Sequence, residues 1–96
     1  MLTYKAMYKF LSDGVHGEVL DFAGVLTCGK DLTEARRLLA LALVDMAETN
    51  LILGEALPIP NSALTDVESD LEEPIHLVLT ATNCIKIVPE LLYEAA

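Results

Sequence analysis

Apolar and polar residues alternate near the start of the chain. Tyr4, Ala6, Tyr8 and Phe10 interleave with Lys5, Met7 and Lys9, a period of two that predicts a strand with one buried face. Ser12-Asp13-Gly14 follows with hairpin chemistry, Gly14 being read as the residue that accepts positive φ. Residues 15–20 predict the returning strand and residues 25–28 a third, shorter one. Asp21-Phe22-Ala23-Gly24 joins them as a corner hinged at Gly24, and Gly29 closes the third strand with a turn.

The period then changes. Asp31 stands where a helix N-cap belongs, with Glu34 three residues on as a capping-box partner. At about 100° per residue, Ala35, Leu39, Ala42, Leu43, Met46 and Leu53 gather on one stripe, which should lie on the sheet. The other side is expected to be polar. Instead it carries Leu41, Val44 and Leu51 beside Arg37 and Glu48. A helix apolar on two sides is covered twice, so these three residues are the candidate self-association face.

Gly54 ends the helix as a left-handed cap, and Pro58 and Pro60 prevent its resumption. Residues 55–73 read as an acidic, proline-containing loop. Residues 75–82 alternate again and predict a fourth strand, while residues 83–96 form an extension of undetermined structure. The expected fold is α+β: an antiparallel sheet of three N-terminal strands and one C-terminal strand, packed by one long helix in the order β-β-β-α-β. Ninety-six residues make a single domain.

Composition sharpens this picture in two ways. Apolar residues make up 53% of so short a chain, more than a small globule buries alone, and a homo-oligomer is therefore expected. Residues 1–37 balance in charge, so the whole net charge of −9 lies downstream. Such acidity repels phosphate and argues against direct nucleic-acid binding; it favours a basic partner, or serves solubility alone. The longest uninterrupted apolar run, residues 38–44, is too short for a bilayer, and no secretory signal precedes the fold. Cys28 and Cys84 form no paired motif and read as reduced thiols of a cytoplasmic protein.

Chemistry is sparse. The segment from Gly24 to Asp31 matches a phosphate-binding loop until its last position, where Asp31 replaces the hydroxyl that holds Mg²⁺. His16 and Glu18 share a strand face, and His76 is a conceivable third metal ligand, but no spacing is diagnostic. No serine sits in a nucleophile elbow, and no two carboxylates stand out as an acid–base pair. Lys5 and Lys9 alternate away from Tyr4, Tyr8 and Phe10, which disfavours a stacking platform for RNA. No catalytic residue, cofactor site or metal site is assigned.

Taken together, Asp13-Gly14, Asp21-Phe22-Ala23-Gly24, Gly29, Leu32-Thr33-Glu34-Ala35 and the later run from Gly54 to Pro60 resemble the HicB-type antitoxin family. The similarity spans about residues 3–82 and rests on the order and spacing of short elements. Ala23 and Val25 depart from the Pro and frequent Cys of the family pattern. The resemblance implies a partial, catalytically empty RNase H-like domain that self-associates and masks a small basic RNA-cleaving HicA toxin. Such antitoxins often carry a C-terminal DNA-binding segment. Nothing after Thr82 has the length or basic charge of a helix-turn-helix or ribbon-helix-helix. The alternative is an orphan homo-oligomeric interaction module without a toxin. An enzyme using RNase H-like carboxylates would need a converging acidic set, which the sequence does not display.

Overall fold

The computed structural model describes residues 1–78. Four strands and one helix follow in order: β1 (Leu2–Leu11), β2 (Gly14–Val19), β3 (Leu26–Gly29), α1 (Leu32–Ile52) and β4 (Leu71–Leu77). They form one antiparallel sheet in the order β3-β2-β1-β4. The α+β, β-β-β-α-β arrangement expected from the sequence is therefore the observed one. The fourth strand starts at Leu71, not at residue 75, so residues 71–73 of the expected acidic loop belong to the sheet; the expected strand end at 79–82 and the extension at 83–96 lie outside the described residues.

Alternation along β1 buries Tyr4, Ala6 and Tyr8 on the helix side, with Val15 and Val19 of β2 and Leu77 of β4. Against them α1 places Ala35, Leu39, Leu43 and Ala47, a run at helical spacing. Phe22 and Val25 close one end, and Phe22 lies tilted against Tyr4 with ring centroids 5.3 Å apart. Phe10 continues the strand pattern yet is exposed, because it stands at the hairpin end of β1. Leu53 also leaves the expected stripe. It follows the last helical residue and is 65% exposed, whereas Ala47 takes a core place not foreseen.

The helix begins as its sequence dictates. Asp31 is extended, and its carboxylate accepts from the Glu34 amide at 2.8 Å. Glu34 reaches back to the Lys30 amide at 3.1 Å, one residue before the usual capping-box partner. At the far end Gly54 adopts φ +73, the left-handed cap expected of it. Gly24 likewise has φ +89 at the corner between β2 and β3.

Gly14 is a correction. It is not among the positive-φ glycines; it is required for space, since a Cβ there would lie 2.6 Å from the Gly29 carbonyl oxygen. Asp13 precedes it in the exposed hairpin turn. Gly29 is equally confined: its Cβ would meet the Ala35 amide nitrogen at 2.6 Å. The helix N-terminus thus presses directly on the end of β3.

The connection between α1 and β4 is tied to the sheet. The Tyr4 hydroxyl donates to the Pro58 carbonyl at 2.7 Å. Asp21, buried where β2 ends, accepts from the Lys5 amide through one oxygen and from the Asn61 amide through the other, both at 2.8 Å. Further on, the Lys5 ammonium donates to the carbonyls of Ser62 and Leu64. The connection thereby reaches the sheet face opposite the helix. Met7 lies on that face and is only 2% exposed, although its alternation marked it as outward.

Candidate functional site

Two surfaces of the described residues carry features beyond packing. The first is the outer ridge of α1. Its buried stripe leaves Leu41, Val44 and Leu51 outward, at 53%, 36% and 51% exposure, with exposed Arg37 and Glu48 on the same side. The sequence placed these three residues outside the sheet contact, and they are there in the folded chain. Ile52 and Leu53 add exposed aliphatic surface at the helix end, beside exposed Glu55. Asp45 and Glu48 lie toward the negative end of the helix dipole, and no basic residue occupies the last turn.

The second is the acidic run before and within β4. Its charges are spent inward. Glu72 points to the face opposite the helix and accepts from the Ser69 and Thr65 hydroxyls at 2.6 and 2.7 Å, the Asp66 amide at 3.1 Å and the Lys5 ammonium at 3.1 Å. These donors, the Ser69 and Thr65 hydroxyls foremost, hold its carboxyl down at about 2. Glu73 points the other way and grips Arg36 of α1 through Nε at 2.7 Å and Nη2 at 2.8 Å. The guanidinium lies 6.0 Å from the Tyr8 ring centre. Glu68 pairs with Lys9 at 3.0 Å, and that hydrogen bond raises the lysine's pKa. Burial raises the Tyr8 hydroxyl, with Glu73 adding to the effect and Arg36 opposing it.

A cavity of about 230 Å³ opens beside this network, lined by Thr3, Tyr4, Lys5, Ser62, Glu72 and Pro74 among others. Its charged groups are already committed, Lys5 to Glu72 and Glu73 to Arg36, so it offers a ligand no unpaired charge.

The chemical candidates are dispersed. His16 and Glu18 approach to 3.7 Å on β2. His76 lies on β4, bonded to the Thr3 hydroxyl at 2.9 Å. His16 pairs across the sheet with Lys9 and His76 with Thr3, positions about 20 Å apart along β1. Among the described residues no three His, Cys, Asp or Glu side chains are placed to hold a metal ion. The phosphate-loop look-alike is strand β3 over Leu26–Gly29, and Asp31 is occupied as a helix cap. Cys28 is free and exposed at the sheet edge. Tyr4 and Tyr8 are buried under the helix and present no platform. No helix among the described residues is long and apolar enough to cross a membrane. The pairing of β4 charges with β1 and α1 was not legible, since the partners are distant in sequence; the alternation of Glu72 and Glu73 was its only trace.

This four-stranded antiparallel sheet backed by one helix is a fold that the chain shares with solved HicB antitoxin structures. The chain is similar to the crystal structure of the N-terminal domain of Burkholderia pseudomallei antitoxin HicB, with TM-score 0.64, 18% identity, and coverage of 81% of this chain and all of that one. Against the longer B. pseudomallei HicB antitoxin the TM-score is 0.69 at 18% identity, over 99% of this chain and 81% of that one. A chain of the HicA3 and HicB3 toxin-antitoxin complex matches with TM-score 0.55 and 19% identity, over 64% and 72%. No family model matches the chain, and no curated protein matches it in sequence.

Proposed function

We propose that this chain is a non-catalytic, antitoxin-type binding domain. Its partner is a small, basic, RNA-cleaving toxin of the HicA kind, and it acts by occupying the surface that RNA would use. The supporting observation is the fold: the likeness extends over the whole of a HicB N-terminal domain, and a toxin-antitoxin complex contains a chain of the same shape. Electrostatics agree. Glu68, Glu72 and Glu73 are matched by the chain's own cations, but Asp13, Asp45, Glu48 and Glu55 are exposed and unpaired among the described residues. A net charge of −9 raises the encounter rate with a basic partner and disfavours phosphate backbones.

Co-expression with the product of a neighbouring small basic reading frame tests this reading. A complex that co-elutes in gel filtration, and in which RNA cleavage by the partner stops at equal stoichiometry, is expected. Separate elution, or cleavage that continues in the presence of excess chain, would reject it. The competing reading, a homo-oligomeric interaction module with no toxin, draws on the exposed ridge of α1 and predicts self-association without that inhibition.

A further inference from the structure

Ile59 is 89% exposed, yet the segment that carries it is tied down along its length. Pro58 and Pro60 fix their own φ and confine Leu57 and Ile59 to extended backbone. Leu57 packs against the core. Just upstream, the Glu55 amide donates to the Asn50 carbonyl at 2.8 Å, and the Asn50 side-chain amide donates to the Ala56 carbonyl at 3.3 Å. The Tyr4 hydroxyl holds the Pro58 carbonyl, and Asp21 holds the Asn61 amide, so two buried side chains serve this strap. Within residues 57–60 the Ile59 side chain alone is exposed. A single exposed aliphatic is ordinary. One whose backbone is already fixed is suited to binding, because folding has done the ordering that association otherwise costs.

The charges around the strap are of one sign. Residues 38–61 contain no Lys, Arg or His, and their acids, Asp45, Glu48 and Glu55, are exposed. None of these acids makes an ion pair among the described residues. The end of α1 that leads into the strap also carries the negative pole of the helix dipole, with no basic residue in its last turn. We infer that Ile59 is the anchor by which the chain seats itself in an apolar pocket of a basic partner protein, with Glu55 meeting the cationic rim of that pocket. This rests on the proposed small basic toxin as the partner, and it assigns the residue that engages it.

Val67 is more exposed still, at 99%, but its surroundings do not suit a basic partner. It stands between Asp66, whose carboxylate accepts from the Glu68 amide, and Glu68, which is paired with Lys9. A cation arriving there would compete with the chain's own lysine. At Ile59 no such competitor is at hand. The two parts of the contact act on different rates: uncommitted acids quicken the encounter, and a desolvated aliphatic anchor slows departure.

Binding kinetics of the full chain with the product of the neighbouring small basic reading frame test this, read by biolayer interferometry. Ile59→Ala should raise Kd about tenfold or more, mainly through faster dissociation. Tyr4→Phe keeps the buried ring but frees the Pro58 carbonyl, and should weaken binding several-fold with Ile59 itself untouched. Glu55→Gln should slow association and flatten its salt dependence. Val67→Ala should bind as wild type does. Unchanged circular dichroism and urea midpoint of Ile59→Ala verify that its fold is intact. A wild-type complex from which Ile59→Ala dissociates no faster overturns the anchor and leaves the toxin reading standing. The same holds if Tyr4→Phe binds at full strength, if Glu55→Gln associates like wild type, or if Val67→Ala causes the larger loss. No complex with the wild-type chain rejects both together.

Discussion

Glu73 and Arg36, one on an edge strand and the other on the helix, are joined by two hydrogen bonds of 2.7 and 2.8 Å over the Tyr8 ring. The two-point grip fixes direction as well as distance, which a lysine at the same place would not. It clamps β4 to α1 on the side where the strand has few other contacts with the helix. Replacing Glu73 by Gln should therefore loosen β4 locally. Amide exchange in residues 71–77 is expected to quicken several-fold while the global melting temperature moves little, since the pair is partly exposed. Hydrogen-exchange mass spectrometry reads this directly; unchanged protection of β4 would show that the clamp is decorative.

Asp21 makes a different kind of link. Both of its oxygens are used, each by a backbone amide, one in β1 and one in the connection before β4. Asn at this position keeps one acceptor and turns an NH₂ group toward the other amide. A loss of about 1.5–3 kcal/mol is expected, the range for hydrogen bonds to a charged group. Urea unfolding gives the value, and a midpoint equal to wild type would remove the bridge from the account.

Two glycines separate crowding from backbone conformation. Gly29→Ala drives a methyl group into the backbone of Ala35 and should cost about 1–3 kcal/mol. Gly54→Ala meets no atom within 4 Å; its cost, about 1 kcal/mol, comes from φ alone. Thermal melts of the two variants should rank in that order.

Acid should release the connection from the sheet face that bears Lys5 and Met7. The Glu72 carboxyl titrates from an ordinary 4.5 in the unfolded chain to about 2 in the fold. Because the folded value is lower, its contribution is fully present above 4.5 and disappears as pH falls through about 2. Ser69→Ala removes the leading donor and should move the carboxyl upward, toward 4.5. Side-chain carboxyl NMR shifts across pH 2–5 follow both; a Glu72 titration near 4.5 in the wild-type chain contradicts the network.

Much of this architecture was readable because local and global signals agree. Tyr4, Ala6 and Tyr8 alternate and are buried; Asp31 and Glu34 look like a cap and act as one. The start of β4 was hidden because Leu71-Glu72-Glu73 resembles a solvated acidic loop. Two neighbouring carboxylates fit a strand only when each face supplies its own cation, and Lys5 and Arg36 lie far away in sequence. Met7 was misjudged for a related reason: alternation says which face a residue takes, not whether that face stays open to solvent. At Gly14 the turn was recognised, but the demand for close approach by Gly29 depends on a third strand. The surface role of Leu41, Val44 and Leu51 is a matter of partners, which one chain's periodicity raises without deciding.

The pairing of β1 with β4 joins the first element of the chain to the last described one. On a ribosome, Leu2–Leu11 emerges before residues 71–77 and waits, one edge unsatisfied, until they arrive. Loop closure over so long a span slows maturation relative to a helical protein of equal length. A nascent molecule released before its fourth strand would offer that vacant backbone ladder to any neighbour, so the window for mispairing is set by translation of the acidic connection.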